Sequence, residues 1–169
     1  MAAEDPAFAE WLAARQGTLL RTAYLVCGDR HTAEDLAQTA AAKLYLAWDR
    51  ISARGNVDAY ARRVIINEHN SLWRRPWKKR EVVADELPEH GYVDHQRAPD
   101  EVAAVWTAVR ALPPRQRAVV VLRYYEDLSE AEIAETLDVS AGTVKSQASR
   151  ALATLRDRLG SAFDLEDLA

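Results

Sequence analysis

Apolar positions recur at helical spacing along most of the chain, in blocks separated by glycine, proline and acidic stretches. From residue 7 to 27, Phe8, Trp11, Leu12, Leu19, Leu20, Ala23 and Tyr24 predict a helix, or a broken pair bent at Gly17-Thr18. Gly28-Asp29 is expected to end it, since glycine accepts the backbone conformation found just past a helix C-terminus. Thr32 is expected to cap a second helix, about Ala33 to Ile51, with Glu34 and Asp35 in the first turn where negative charge suits the dipole. Its inward stripe is Leu36, Ala40, Leu44, Ala47 and Ile51. Arg54-Gly55-Asn56 reads as a loop, and Asp58 as the cap of a third helix reaching about Arg75. On that helix Tyr60, Ala61, Val64, Ile65 and Leu72 cluster on one side. Arg62, Arg63, Ile66, Asn67, His69, Asn70, Trp73 and Arg74 spread round the remainder.

Between Glu81 and Pro99 the periodicity stops, and Pro88, Gly91 and Pro99 stand amid acids, as in a linker. Beyond it Val102, Val105, Trp106, Val109 and Leu112 give a clean helical stripe. Pro113-Pro114 breaks that helix and opens the next, Arg115 to about Tyr125, because proline is tolerated in a first turn. Ser129 and Glu132 then stand at capping-box spacing, followed by Ile133, Ala134 and Leu137 on one side of a short helix. Asp138 can adopt a left-handed backbone and Ser140 can cap a further helix. Its apolar stripe is Val144, Ala148, Ala151, Leu152, Leu155 and Leu159.

The last two helices read as a helix-turn-helix. At about 100° per residue, the side opposite the stripe carries Gly142, Thr143, Ser146, Ser149 and Arg150, with Lys145 and Gln147 flanking them and no acid before Asp157. Short hydroxyls allow close approach to DNA, and Arg and Gln can make paired hydrogen bonds to guanine and adenine edges in the major groove. The plainer alternative is the solvated face of an ordinary helical hairpin.

Net charge bears on that choice. The whole chain is at -4, which on its own argues against nucleic acid, but the average conceals segregation. Residues 60–80 hold seven bases and one acid, a net of +6, and residues 81–101 hold seven acids and one base, a net of -6. A basic block of that density attracts phosphate whatever the overall charge. The apolar fraction of 49% is ample for a core. No apolar run approaches the length of a membrane span, and the opening Ala2, Ala3, Glu4, Asp5 is no secretory signal, so a cytoplasmic protein without membrane attachment is expected. Cys27 stands alone, which rules out an internal disulfide and a cysteine-based zinc site; a small buried hydrophobe is expected there. A metal enzyme using His31, His69, His90 and His95 is disfavoured, because no pair has helical ligand spacing and no nucleophile motif accompanies them. No catalytic residue, cofactor or metal is expected.

Two other faces carry more than a core contact needs. The far side of the second helix bears Asp35, Gln38, Ala42, Tyr45, Leu46 and Asp49, an apolar patch with a polar rim that suits a partner, unless a neighbouring helix covers Tyr45 and Leu46. The third helix interleaves arginines with Trp73 and amides, and Trp77 follows Pro76. Charge for phosphates, rings for stacking and amides for base edges are what a single strand needs. The alternative is that the tryptophans pack against the first helix.

Three stretches together resemble a family. The chain is similar to bacterial RNA polymerase sigma factors of the two-domain extracytoplasmic-function (ECF) group, through DRHTAEDLAQ with AAAKLYLAW, DAYARRVIINEHNSLWRR, and ALPPRQRAVVVLRYYEDLSEAEIAETLDVSAGTVKSQASRAL, over about 150 positions. The resemblance implies an all-α fold of two small helical domains, an N-terminal bundle (1–79) and a C-terminal four-helix domain with the helix-turn-helix (100–160), joined by a flexible acidic linker (80–99) and followed by an acidic tail (161–169). It implies that Asp35, Gln38, Ala42, Tyr45 and Leu46 dock on the clamp helices of the polymerase's largest subunit, with the flap of the second-largest subunit as a further contact. Tyr60, Arg62, Arg63, Asn67, Asn70, Trp73, Arg74 and Arg75 correspond to the surface for the melted -10 promoter element, Asn67 helping to hold a flipped base with the Gly55-to-Tyr60 loop. Thr143, Lys145, Ser146, Gln147 and Arg150 correspond to the recognition helix for the -35 element. The linker is implied to pass near the polymerase active centre, its acids mimicking template charge. Asp138 departs from the glycine common in such turns, and mild strain is expected. Control is expected from a separate anti-sigma protein or from regulated synthesis. The competing function is a free-standing helix-turn-helix regulator that binds operators without polymerase, its N-terminal half serving as a sensor or dimerisation domain.

Overall fold

The first helix, α1 (Pro6–Cys27), runs unbroken through Gly17-Thr18. Of the two readings, helix or broken pair, the helix is observed: a side chain added at Gly17 would meet nothing within 4 Å, so no neighbour forces the helix apart there. An isolated helical glycine costs only about 1 kcal/mol, which the packing of α1 absorbs. These features come from a computed structural model of the protein, which describes residues 5–74 and 100–160. The expected linker, the acidic tail, Arg75, Trp77, His90 and His95 lie outside those residues, as do the side chains of Trp73, Arg74 and Val102.

Gly28, at φ 78, ends α1 as the sequence suggests. The cap of α2 (Arg30–Leu46) is Asp29 and not Thr32: the Asp29 carboxylate accepts the Thr32 N–H at 2.7 Å. Asp29 follows the terminating glycine directly and is at least as good an acceptor as threonine, so the helix starts three residues early. It also stops early. Ala47 leaves helical geometry at φ -109, ψ 7, and a short α3 (Trp48–Ser52) follows, so the expected single helix to Ile51 is two. Leu44, Trp48 and Ile51 are buried together, with Phe8, Trp11, Val57 and Tyr60 against them. Phe8 meets Trp48 edge-on at 5.3 Å between ring centres, and Trp11 lies 6.1 Å from Trp48.

The next helix, α4 (Val57–Arg74), begins with a bond from the Tyr60 N–H to the Asn56 carbonyl at 3.1 Å. Asp58 does not cap it. Its carboxylate accepts from the Trp11 indole at 3.1 Å and pairs with Arg15 at 3.3 Å, tying α4 to α1. Ala61, Val64 and Ile65 are buried as expected. Ile66 and His69, placed by the sequence pattern among the outward residues, are also buried, at 1% and 3% exposure. Lys43 of α2 pairs with Glu68, the acid within the basic block, and so holds α2 to α4.

The later helices are α5 (Asp100–Arg110), α6 (Pro114–Val120), α7 (Glu130–Leu137) and α8 (Ala141–Leu159). Pro114 occupies the first turn of α6, where its missing N–H costs nothing. The helix expected to reach Tyr125 does so through a widened π turn, Val121–Tyr125, closed by the Glu126 N–H on the Val121 carbonyl at 3.1 Å. Val119, Leu122, Ile133, Val144 and Ala148 form a buried cluster, onto which Leu128, Ala134 and Leu137 fold. Val105, Trp106, Val109, Leu112, Ala151 and Leu155 are buried as well. Arg117 is 7% exposed, and burial pushes its guanidinium below the ordinary value. Cys27 is half-buried, short of the full enclosure expected.

All regular structure among the described residues is helical, as expected, and it falls into two units, one of 5–24 with 29–74 and one of 25–28 with 100–160. No helix among the described residues is long and apolar enough to cross a membrane.

Candidate nucleic-acid interface

The helix-turn-helix is built from local bonds that can each be traced to a residue. At the start of α7 the Ser129 hydroxyl accepts the Glu132 N–H at 3.3 Å, while the Glu132 carboxylate accepts the Ser129 N–H at 2.8 Å, a complete capping box. At its end Asp138 takes the left-handed conformation, φ 54 and ψ 52, and its N–H turns back to Glu135. The Val139 N–H bonds the Ala134 carbonyl at 3.0 Å. Ser140 then caps α8, its hydroxyl accepting the Thr143 N–H at 3.1 Å. Two caps and one left-handed residue thus fix where α8 starts and how it leaves α7.

Val144, Ala148, Ala151 and Leu155 hold α8 to the core, with Leu152 and Leu159 half-buried. That orientation leaves Lys145, Ser146, Ser149 and Arg150 exposed, and Thr143 and Gln147 half-exposed. Two of the hydroxyls are occupied within the helix. Thr143 Oγ1 lies 2.9 Å from Ser140 Oγ, and Ser146 Oγ donates to the Thr143 carbonyl at 3.1 Å. Lys145 and Arg150 are the long cationic side chains of the set, and Lys145 Nζ stands 3.7 Å from a carboxylate oxygen of Glu130 on α7. The expectation of a face clear of acids holds along α8 itself but omits Glu130, which reaches it from the neighbouring helix.

In the first unit α4 sorts its polar residues into two stripes. Arg63 and Asn67 are exposed and Asn70 is half-exposed, and the position of Arg74 continues that line at i, i+4, i+7, i+11. Arg62 is half-buried and begins the neighbouring line, which passes through buried Ile66 and His69 to the position of Trp73. The residues expected to act on DNA together therefore divide, Arg63 and Asn67 outward and Arg62 toward the core. Tyr60 is half-buried against the Leu44 cluster. The expected loop from Gly55 to Tyr60 is shorter than read, since α4 already begins at Val57.

On α2, Asp35, Gln38, Ala42 and Leu46 are exposed, and Leu46 is 86% exposed, an unusual position for a leucine. Tyr45 turns away from them and packs edge-on against Phe8, with ring centres 5.0 Å apart. Of the two readings of that face, a covering helix explains Tyr45 and leaves Leu46 uncovered. The signal was available: Phe8 is one of the apolar residues of α1, and Trp48 stands at i+4 from Leu44, so an aromatic cluster could have been read there. Among the described residues no group of three or more His, Cys, Asp or Glu side chains could hold a metal ion.

Comparison with known proteins finds two matched stretches. Residues 12–79 match the family model of sigma-70 region 2, and residues 103–155 match that of sigma-70 region 4. The chain is 43% identical over 152 residues to the RNA polymerase sigma-E factor of Streptomyces coelicolor, covering 90% of this chain and 85% of that protein. It is 33% identical over 152 residues to the ECF RNA polymerase sigma factor SigL of Mycobacterium tuberculosis, covering 82% of this chain and 80% of that protein. Its fold is similar to that of the sigma factor RpoE in complex with the anti-sigma factor NepR from Bartonella quintana, at a TM-score of 0.72 and 22% identity, covering 94% of this chain and all of that one. With both regions in order and relatives matched over most of their length, the chain belongs to the extracytoplasmic-function group of RNA polymerase sigma factors.

Proposed function

We propose that this sigma factor divides promoter recognition between its two units, α8 reading the -35 element as duplex and α4 holding the unpaired non-template strand of the -10 element. As a sigma factor it gives RNA polymerase core its choice of promoter and is not itself an enzyme. The observation that carries the finer reading is the doubly capped geometry of the helix-turn-helix, which leaves Lys145, Ser146 and Arg150 on one exposed face while the opposite face is locked in a core. An exposed helix face rich in hydroxyl and cationic groups is suited to a major groove. Thr143 and Gln147 flank that face, Thr143 acting through the backbone of the first turn.

On α4 the outward Arg63, Asn67 and Asn70, with Arg74 at the next position along the helix, supply charge and amides for a strand that has left the stack. Unpairing costs on the order of a few kcal/mol per base, and phosphate and base-edge contacts offset it. Arg62 and Tyr60 support that surface from its inner side, and Trp73 and Arg75 are assigned to the same role. The outer face of α2, with Leu46 at its centre and Asp35, Gln38 and Ala42 round it, docks on the polymerase clamp, while Tyr45 braces it from within. The acidic stretch 80–99 joins the two DNA-reading parts and passes near the polymerase active centre. The setting is the cytoplasm, and an anti-sigma protein is the partner that restrains the chain, by analogy with the Bartonella quintana sigma factor RpoE in its complex with NepR.

The test is run-off transcription with core polymerase on promoters first mapped from the transcripts the protein starts. Arg63→Glu is expected to abolish opening of a duplex promoter while binding to the closed duplex is retained. Loss of closed-duplex binding equal to the loss of opening would overturn the role given to α4.

A further inference from the structure

The carboxylate of Glu130 lies between two cations from different elements. One oxygen is 3.5 Å from Arg123 Nη1, in the π turn, and the other is 3.7 Å from Lys145 Nζ, on the exposed face of α8. Arg123 is itself held over the Tyr124 ring, its guanidinium carbon 5.6 Å from the ring centre. Glu130 is about one-third exposed, as is Arg123, whereas Lys145 is 69% exposed. The carboxylate is thus anchored on the less exposed side and offers its second oxygen to the recognition helix.

We infer that Glu130 is a positioning residue that keeps the Lys145 charge from acting as a sequence-blind phosphate anchor, and so raises the selectivity of α8 for its site. This rests on the reading of α8 as the duplex-binding helix. Lysine is a mobile point charge that grips any phosphate in reach, and each phosphate neutralised strengthens binding to every sequence alike. A lysine whose charge faces a protein carboxylate adds little to that common attraction. Exposed pairs of this kind contribute little to folding, so the consequence of Glu130 falls on binding. The acid is not needed to start α7 either, because the capping box is made by Ser129 and Glu132.

The experiment measures binding of the full chain to a fluorescent duplex of scrambled sequence, over about 50 to 200 mM salt. Glu130→Gln is expected to tighten binding about two- to fivefold, the range such exposed pairs are worth, and to steepen the dependence of log affinity on log salt by about 0.9, one added phosphate contact. A change confined to folding would not add a phosphate to that slope. In the double variant Glu130→Gln with Lys145→Gln both gains are expected to vanish. If Glu130→Gln changes neither affinity nor slope, or if the gain survives without Lys145, the inference is overturned. Arg150→Gln separates the two levels: weaker binding there with a silent Glu130→Gln sinks only the role of Glu130, whereas no effect at Arg150 sinks the duplex reading of α8 and this inference with it.

Discussion

Ser140 gives the sharpest test of how the recognition helix is held. Its hydroxyl accepts the Thr143 N–H at 3.1 Å and lies 2.9 Å from Thr143 Oγ1, so Ser140→Ala removes one partner of an orphan amide and one hydroxyl contact at the start of α8. Loss of such a cap costs about 1 kcal/mol, within a range of about 0.5 to 2. Glycine at the same position costs only a few tenths, because the bare backbone admits water to the amide. The two variants therefore differ in a definite direction, with alanine worse than glycine although alanine is the better helix former. A helical unit of this size rarely has more than roughly 3 to 5 kcal/mol of stability in hand, so the alanine variant loses a sizeable fraction of it. The assay is hydrogen exchange of the full chain, following amides deep in the second unit such as those of Val144 and Leu155. Their protection is expected to fall about fivefold for 1 kcal/mol in Ser140→Ala and by less than twofold in Ser140→Gly. Unchanged protection in the alanine variant, or a greater loss in the glycine variant, would refute the reasoning that a side-chain cap sets the first turn of α8.

Two further outcomes are expected. Leu46→Glu should leave the melting temperature of the protein essentially unchanged, since an exposed position tolerates charge to within about 0.5 kcal/mol, yet weaken association with core polymerase by about tenfold or more if that leucine is a central contact; co-sedimentation with core, beside a thermal melt, reads both. Trp48→Ala removes an indole that is 9% exposed and touches both Phe8 and Trp11, and should cost about 3 to 5 kcal/mol in chemical denaturation, with transcription lost as a result of unfolding of the first unit.

Much of the second unit was legible because its determinants are local. The capping box at Ser129 and Glu132, the left-handed Asp138 and the cap at Ser140 each involve residues within four positions of one another, and each side chain has few other places to bond. The first unit was less so, because its choices are made across the fold. Asp58 looks like a cap in sequence, but Trp11 and Arg15, far back in the chain, claim its carboxylate. Ile66 and His69 look outward if only one stripe of α4 is taken as the core side, and they are buried because α4 presents a wider arc inward than that stripe. Glu130 escaped notice as part of the α8 face for the same reason, since a periodicity count along one helix does not register an acid arriving from another. Nothing in the residues round Ala47 marks the break between α2 and α3.

The indoles of Trp11 and Trp48, 6.1 Å apart and inclined at 50°, both lie against Phe8 in the first unit. Chromophores so close couple their transitions, and the near-ultraviolet circular dichroism of the protein should carry a signature of that coupling. Loss of that signature therefore reports disruption of the ring cluster and requires no attached dye.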